Sequence, residues 1–549
     1  MKILIIFLFS LLSPWPVLTQ SQFDFDWTVQ SGSPDYDYVL SMDCDSSGNA
    51  YFFLESRWSE CHIADSLVNG NGLYIAKFND QGDLVRTSYI SCTSIIGART
   101  LRATPEGDIY LMGLFNDTAN FGSITLVDTS ELNVTFLARL NPEGNFNWAE
   151  IVYPSPDFIP YDMEIDSEEN IFITGVNPGY YMIIGNDTIF GELGGWKLPL
   201  IQYDSSGTPV WGIMTDNSLM ARGYDLSVDP AGNIVIAGSF MGLKLFFGED
   251  SVITQSSKNL LLTSITPGIG FNWLKIYPYD GEMYVNKMLV NPEGEIFTSG
   301  FFHGEILFST DTVNIPAFHE QLTIFGFSPE GDYNWHLESI PVQDYGTRAS
   351  GDDMCFDDEG NIFVAGKFST IIDVGDFRLV ADPPNLYAYN LLLQINDKGR
   401  VLLAESIYGR TYAEDYAARK VCYHDGFLYY SGSFEYSGYI GNEYFSSYGL
   451  IDHFLSKIDL LYVDIPDNEI INHDSPAFFC NKDLVRISNL QEEEIYRVSV
   501  INLAGQTVFS RKLKGLKQAS FHIGQGNGLY LLSINNGTTV KTGKIIINK

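Results

Sequence analysis

Seven times along the chain an apolar stretch enters a short turn and leaves as another apolar stretch. The copies are CDSSGNAYFF from Cys44, ATPEGDIYLMGLF from Ala103, IDSEENIFITG from Ile165, VDPAGNIVIAGSF from Val228, VNPEGEIFTSGFF from Val290, FDDEGNIFVAGKF from Phe356 and CYHDGFLYYSGSF from Cys422. The turn position falls at Gly48, Gly107, Glu169, Gly232, Gly294, Gly360 and Gly426, a spacing of 59 to 66 residues. A period of this size demands a repeat architecture, in which each unit buries its apolar faces against its neighbours.

The local chemistry defines the unit. An Asp or Asn, then Pro, Ser or Glu, then Gly, then Asn or Asp suits a type I turn closed by a residue with positive φ. Gly takes that conformation without a Cβ clash, so Glu169 is expected to be strained there. A second turn follows in most units: FNDQGDL at Phe78, LNPEGNFNW at Leu140, YDSSGTPVW at Tyr203, ITPGIGFNW at Ile265, FSPEGDYNW at Phe327 and INDKGRVLL at Ile395. Two hairpins make four strands. The expected architecture is all-β, a seven-bladed β-propeller with four strands per blade over residues 20–462. Trp27, in FDFDWTV, resembles the unit-ending Trp148, Trp211, Trp273 and Trp335. No fourth strand is readable after His453–Leu461, so Phe23–Val29 is expected to complete the seventh blade and remove its exposed edge.

Lys and Arg total 32 against 68 Asp and Glu, a net charge of −36. Such a surface repels phosphate backbones and anionic lipid, which argues against a nucleic-acid partner. Met1–Thr19 has Lys2, the apolar run ILIIFLFSLL and the breakers Ser-Pro-Trp-Pro; it is too short to span a bilayer and reads as a signal peptide, residues 1–19. No other run reaches spanning length, so no transmembrane segment is expected in the mature chain. An exported chain can pair its cysteines. Cys61 and Cys92 lie in connections expected on one face of the first unit and are the disulfide candidate. Cys44 and Cys422 share one repeat position and read as buried small hydrophobes. Cys480 reads as unpaired.

The unit D-x-x-G-N-I-x-x-x-G-x-F, with its second Asp-x-x-Gly-x-x-x-Trp turn, resembles the SBBP family of β-propeller repeats over Gln22–Leu461. That resemblance implies a fold and no particular reaction. Beyond the polar connection 463–476, residues 477–549 carry a new all-β pattern with Asn-Gly turns, expected to be a small β-sandwich. VSVINLAGQTVF, GLYLLSIN and the closing KTGKIIINK resemble the C-terminal sorting domain of type IX secretion substrates of Bacteroidetes. The usual Pro-Asn-Pro near the start of that domain is replaced by SPAFF. The resemblance implies handling by the type IX secretion machinery and a secreted or outer-cell-surface location.

For chemistry, the chain has no His-Glu-x-x-His, Cys-x-x-Cys, Walker loop or Gly-x-Ser-x-Gly elbow. No catalytic residue, metal ligand set or cofactor is assigned. Asp43–Gly48 lacks the closing Glu of a calcium loop, and Asp at a turn start caps its own backbone. Asp65-Ser66-Leu67, Asp117-Thr118-Ala119, Asp187-Thr188-Ile189, Asp250-Ser251-Val252 and Asp311-Thr312-Val313 resemble a Bacteroidetes O-glycosylation acceptor, or are simply a turn repeated with the fold.

Two binding surfaces are expected. The connections after the second and fourth strands are long and emerge on one face, with Tyr279, Tyr345 and Tyr412 among their aromatics. On the innermost strands, the residues seven before each turn position are Ser41, Thr100, Asp162, Asp225, Lys287, Asp353 and Arg419. Their alternation with Met and Leu directs Asp162, Asp225, Lys287, Asp353 and Arg419 towards the central tunnel. The plainer alternative is a hydrated tunnel of mutually neutralising charges. The expected function is a non-catalytic module binding a glycan or a surface protein. The alternatives are a carbohydrate-active lyase or hydrolase at the tunnel mouth, and a purely architectural surface role.

Overall fold

The computed structural model describes residues 24–460 and 477–547, apart from 58–59, 130–132, 153–157, 192–193, 218, 248–249, 310, 317–319, 343–346, 382–386, 412–418, 441–442, 482–483, 489–494, 503–505, 515–518, 523–527 and 537–539. The signal-peptide segment 1–19 and the connection 463–476 lie outside the described residues. Strands account for all the regular structure described, and among these residues no helix is long and apolar enough to cross a membrane. The chain divides into two compact units, Met1–Asp459 and Leu460–Lys549.

In the first unit the repeat is expressed as antiparallel meanders. In the fourth copy, Met220–Val228 pairs with Ile234–Met241, which pairs with Lys258–Thr266, which pairs with the first half of Gly270–Val290. The same succession recurs in the other copies. The seventh copy has three strands of its own, Lys420–His424, Phe427–Phe434 and Asp452–Asp459. Its fourth is Asp24–Gly32, from the start of the chain, with Trp27 opposite Lys457 and Val29 opposite Leu455. The first strand therefore completes the last sheet, as the pattern around Trp27 predicts.

The turn chemistry also holds. All seven turn positions have positive φ, from 61° at Glu169 to 90° at Gly107. Asp45 Oδ1 accepts the Ser47 and Asn49 amides, and Asp166, Asp229 and Asp357 do the same in their own copies. Glu169 is anchored by its side chain. Its Oε2 accepts the Tyr110 hydroxyl at 2.6 Å and the Arg139 guanidinium at 2.9 Å, contacts to the preceding copy that a glycine could not make.

The second and third strands of each copy are buried on both faces, which is why they read as nearly unbroken apolar runs. Phe52 and Leu54 pack with Val39, Met42, Cys422, Tyr429 and Leu455, joining the first copy to the seventh. Tyr51 and Phe53 face the other way, onto Leu101, Leu111 and Phe136 of the second copy. Alternate residues serve successive inter-sheet cores, the period-two geometry of a sheet between two neighbours.

The long connections differ from expectation. Those after the second strands fold into two-stranded hairpins, such as Glu60–Ile63 with Ser66–Asn69 and Ile371–Val374 with Phe377–Val380. Five of them add to the outer strand of the preceding copy. Of the Asp-Ser and Asp-Thr sites, Asp65, Asp187, Asp250 and Asp311 fall at or beside the turns of these hairpins, whereas Asp117 lies within the strand Ile109–Phe121. Two connections after fourth strands are absent altogether, because Leu84–Ala103 and Gly270–Val290 run unbroken from one copy into the next.

The Cys61–Cys92 disulfide is not present; both are buried free thiols. The hairpin bearing Cys61 turns back onto Asp24–Gly32 and packs the thiol between the seventh and first copies, whereas Cys92 packs with Ile90 and Phe121 in the next core along.

The second unit has a three-stranded sheet (Ala477–Asn481, Leu484–Ser488, Ala519–His522) and a four-stranded one (Thr507–Lys514, Ile495–Asn502, Gly528–Asn535, Val540–Ile547). Val485 and Ile487 of the first share a core with Tyr496, Val498, Leu513, Leu532 and Ile534 of the second. It is a small sandwich.

Candidate functional site

The innermost strand of each copy has an unpaired edge whose amides need acceptors. Polar side chains of the preceding copy supply them. Ser41 Oγ accepts Leu101 N at 3.0 Å, Asp43 Oδ2 accepts Ala103 N at 2.9 Å, and Asp353 Oδ2 accepts Val421 N at 3.1 Å. Asp225 Oδ2 accepts Met288 N in the same way.

The charges beside these bonds pair off. Arg102 bridges Asp162 at 2.9 Å and Glu164 at 3.0 Å, and Lys287 meets Asp225 at 3.2 Å. Asp162 also accepts the Thr100 hydroxyl at 3.3 Å and is hydrogen-bonded to Asp225. Burial alone would raise the Asp162 pKa, but Arg102 and Lys287 hold it at about 2. Burial and the Asp162 charge push Asp225 well above the usual carboxylate range. The pKa values of the two neighbouring carboxylates are thus driven in opposite directions. Lys287 is partly buried, yet Asp225 and Asp162 raise it above its ordinary value.

The other expected site residues are placed differently. Arg419 does not line a tunnel mouth: it is fully buried, with Nε donating to Asn390 Oδ1 at 3.0 Å and a terminal nitrogen 3.5 Å from Asp352. Asp353 is 7% exposed and spent on the Val421 amide. Tyr279 lies within the continuous strand Gly270–Val290, its ring edge-on to Phe302 at 6.2 Å, and is not a loop residue. Tyr345 and Tyr412 lie outside the described residues.

Sequence periodicity passes over a third group. In six innermost strands the pairing register shifts just before the inward residue, between Val39 and Ser41, Ala98 and Thr100, Pro160 and Asp162, Gly223 and Asp225, Val285 and Lys287, and Gly351 and Asp353. The skipped residues include Arg99, Tyr161 and Tyr224. A bulge inserts one residue and breaks the period of two, so these side chains fall outside any alternating pattern. Tyr161 stacks near-parallel on Tyr224 with centroids 6.1 Å apart, Tyr224 meets Tyr284 at 4.7 Å, and Tyr284 is stacked on Phe301 at 6.2 Å.

One further donor set emerges among the described residues. A carboxylate oxygen of Asp43 and the sulfurs of Cys44 and Cys422 lie within 4.8 Å of one another, a grouping that could hold a metal ion. It joins the innermost strands of the first and seventh copies. The Cys44 thiol donates to the Tyr423 carbonyl at 3.6 Å, and burial pushes the Cys422 thiol well up.

Residues 481–548 match the secretion system C-terminal sorting domain. The chain ends in a type IX sorting tail. The sorting tail marks a protein handled by the type IX machinery and delivered to the cell surface or the medium. No curated protein matches the chain.

Proposed function

We propose that the seven sheets of residues 24–459 close into an SBBP-type seven-bladed β-propeller, and that this propeller is a non-catalytic module binding a glycan or a surface protein. Closure is supported by Asp24–Gly32 completing the last sheet and by the shared core of Val39, Met42, Cys422 and Leu455. The binding reading is carried by the inner charges. Asp162, Asp225, Lys287, Asp353 and Arg419 are each engaged by a charge or a main-chain amide, whereas a general base needs a group poised to exchange its proton with substrate.

One observation favours the alternative, a carbohydrate-active lyase or hydrolase. Asp162 and Asp225 are neighbouring carboxylates with pKa values driven apart, the arrangement that assigns acid and base roles in hydrolases. The test is a glycan array probed with the full-length secreted protein, followed by mass spectrometry of the bound glycans over time. Recovery of intact glycan, bound equally well by Asp225→Asn, supports the binding module. Shortened products that vanish with Asp225→Asn move the function to catalysis. A blank array leaves a surface protein as the partner.

A further inference from the structure

We propose that Tyr161, Tyr224 and Tyr284, flanked by Arg99 and Arg222, form a subsite for an acidic sugar, with the pyranose ring on the tyrosines and its carboxylate held by the guanidinium groups. The proposal rests on the glycan-binding reading and narrows it to a ligand class.

The five side chains come from four successive innermost strands. Arg99, Tyr161 and Tyr224 are the bulge residues of theirs, Arg222 lies two residues before Tyr224, and Tyr284 lies three before Lys287. They are close enough to act together: the phenols of Tyr161 and Tyr284 both lie within electrostatic reach of Arg222 and Arg99. Tyr284 is 40% exposed and Arg99 is exposed, so the group is open to solvent. The row of rings offers the flat, polarisable surface that the C–H face of a sugar covers, with hydroxyls at its margin. Burial pushes Tyr284 up to about 12, so its phenol is a neutral donor at any physiological pH.

The arginines supply the sign. Arg57, Arg102, Arg139, Arg378 and Arg419 each have a carboxylate within 3.5 Å. Arg99 and Arg222 have none among the described residues, in a chain with a net charge of −36. Of the nearby acids, Glu55 is committed to Arg57 at 2.7 Å, and the exposed Glu282 lies 3.6 Å from His303. Arg222 lies over the Trp196 ring at 4.8 Å, and its Nε is buried with no hydrogen-bond partner. A desolvated guanidinium N–H without an acceptor is costly, and a planar carboxylate is the acceptor its fork fits.

The test uses the full-length protein and an array of uronate- and sialate-terminated glycans beside their carboxyl-reduced counterparts. Acidic members should bind at least tenfold tighter than the reduced ones. Arg222→Ala and Arg99→Ala should each weaken that binding at least tenfold, Arg222→Lys should restore part of it, and Tyr284→Ala should weaken acidic and reduced sugars alike. Thermal unfolding of each variant, matched to the parent, excludes loss of fold. Equal binding of reduced counterparts, or acidic binding indifferent to Arg222→Ala, overturns the subsite and leaves the glycan-binding reading standing. Binding to no glycan overturns both.

Discussion

Trp27 covers Gly82. A Cβ placed on Gly82 would meet the indole at 2.7 Å, and Trp27 Nε1 donates to the Asp80 carbonyl at 3.0 Å. Trp148 over Gly207 and Trp335 over Gly399 repeat the contact, with indole bonds to Ser205 and Asp397 at 3.1 and 3.0 Å. The outer-strand Trp of one copy thus roofs the second turn of the next. At Trp27 the outer strand belongs to the last sheet and the turn to the first copy, so an ordinary inter-sheet contact spans the two ends of the repeat. Trp27→Ala should cost about 2–3 kcal/mol, comparable to Trp335→Ala. Gly82→Ala should cost at least as much, since φ is +83° and the ring blocks the new methyl. Denaturant midpoints measure all three. A silent Trp27→Ala beside a destabilising Trp335→Ala would show that the first strand adds nothing to the stability of the sheet it completes.

Lys287 is the ammonium that lets two buried carboxylates coexist. Lys287→Met should destabilise the fold by about 3 kcal/mol, because it strands the Asp162–Asp225 pair with Arg102 alone. Adding Asp225→Asn should recover most of that loss. Urea titrations of the single and double variants decide; a double variant no better than the single would mean that packing, not charge, is what Lys287 supplies.

The start of Asp37–Cys44, the first strand of the first copy, carries a pH dependence. Burial raises the Asp37 pKa to about 7, against hydrogen bonds from Ser33 and Ser56 that lower it and the Asp452 charge that adds to the rise. The folded state holds this proton while the unfolded chain, near 3.9, releases it. Its stabilisation is full below about pH 4 and lost as pH rises to 7. Relative to Asp37→Asn, the parent should lose on the order of 4 kcal/mol across that window. Melting temperatures of both proteins between pH 4 and 7 measure it, and parallel curves would refute it.

Burial raises the Cys92 thiol pKa to about 12 and pushes that of Cys61 higher still. Neither should react with iodoacetamide in the native protein. Both should be alkylated in denaturant without reductant, which peptide mass mapping would detect. A Cys61–Cys92 cross-linked peptide would contradict the separate cores that hold them.

The sorting tail makes a localisation prediction. Deleting residues 460–549 should leave a folded repeat unit inside the cell envelope and abolish its appearance at the surface or in the medium, as read by fractionation and immunoblotting. Unchanged export of the truncated chain would deprive the tail of its role.

The repeat was legible because turn chemistry is local. Asp caps its own amides, the closing residue takes positive φ, and even Glu169 could be flagged from its position; its anchors, Tyr110 and Arg139, could not. The closing strand was legible from Trp27 because the same contact recurs elsewhere in the repeat. The inner charges read from the sequence as one face of the strands; Asp162, Asp225 and Lys287 meet there with Arg102 in a paired group, whereas Arg419 turns to Asn390 and Asp352. Alternation gives the side of a strand, and nothing in it says which neighbour a long guanidinium side chain will reach.

By itself the sequence determined the all-β repeat, the seven turn positions, the strand at the start of the chain that completes the last sheet, and the sorting tail. These follow from periodicity and turn chemistry, which act within a few residues. Tertiary structure decided that five of the connections after second strands become hairpins on the neighbouring sheet, that Cys61 and Cys92 enter separate cores, and that bulges bring Tyr161, Tyr224 and Arg99 together. Each depends on an edge, a core or a register supplied by another copy of the repeat, and pairing across copies leaves no mark on the period within one.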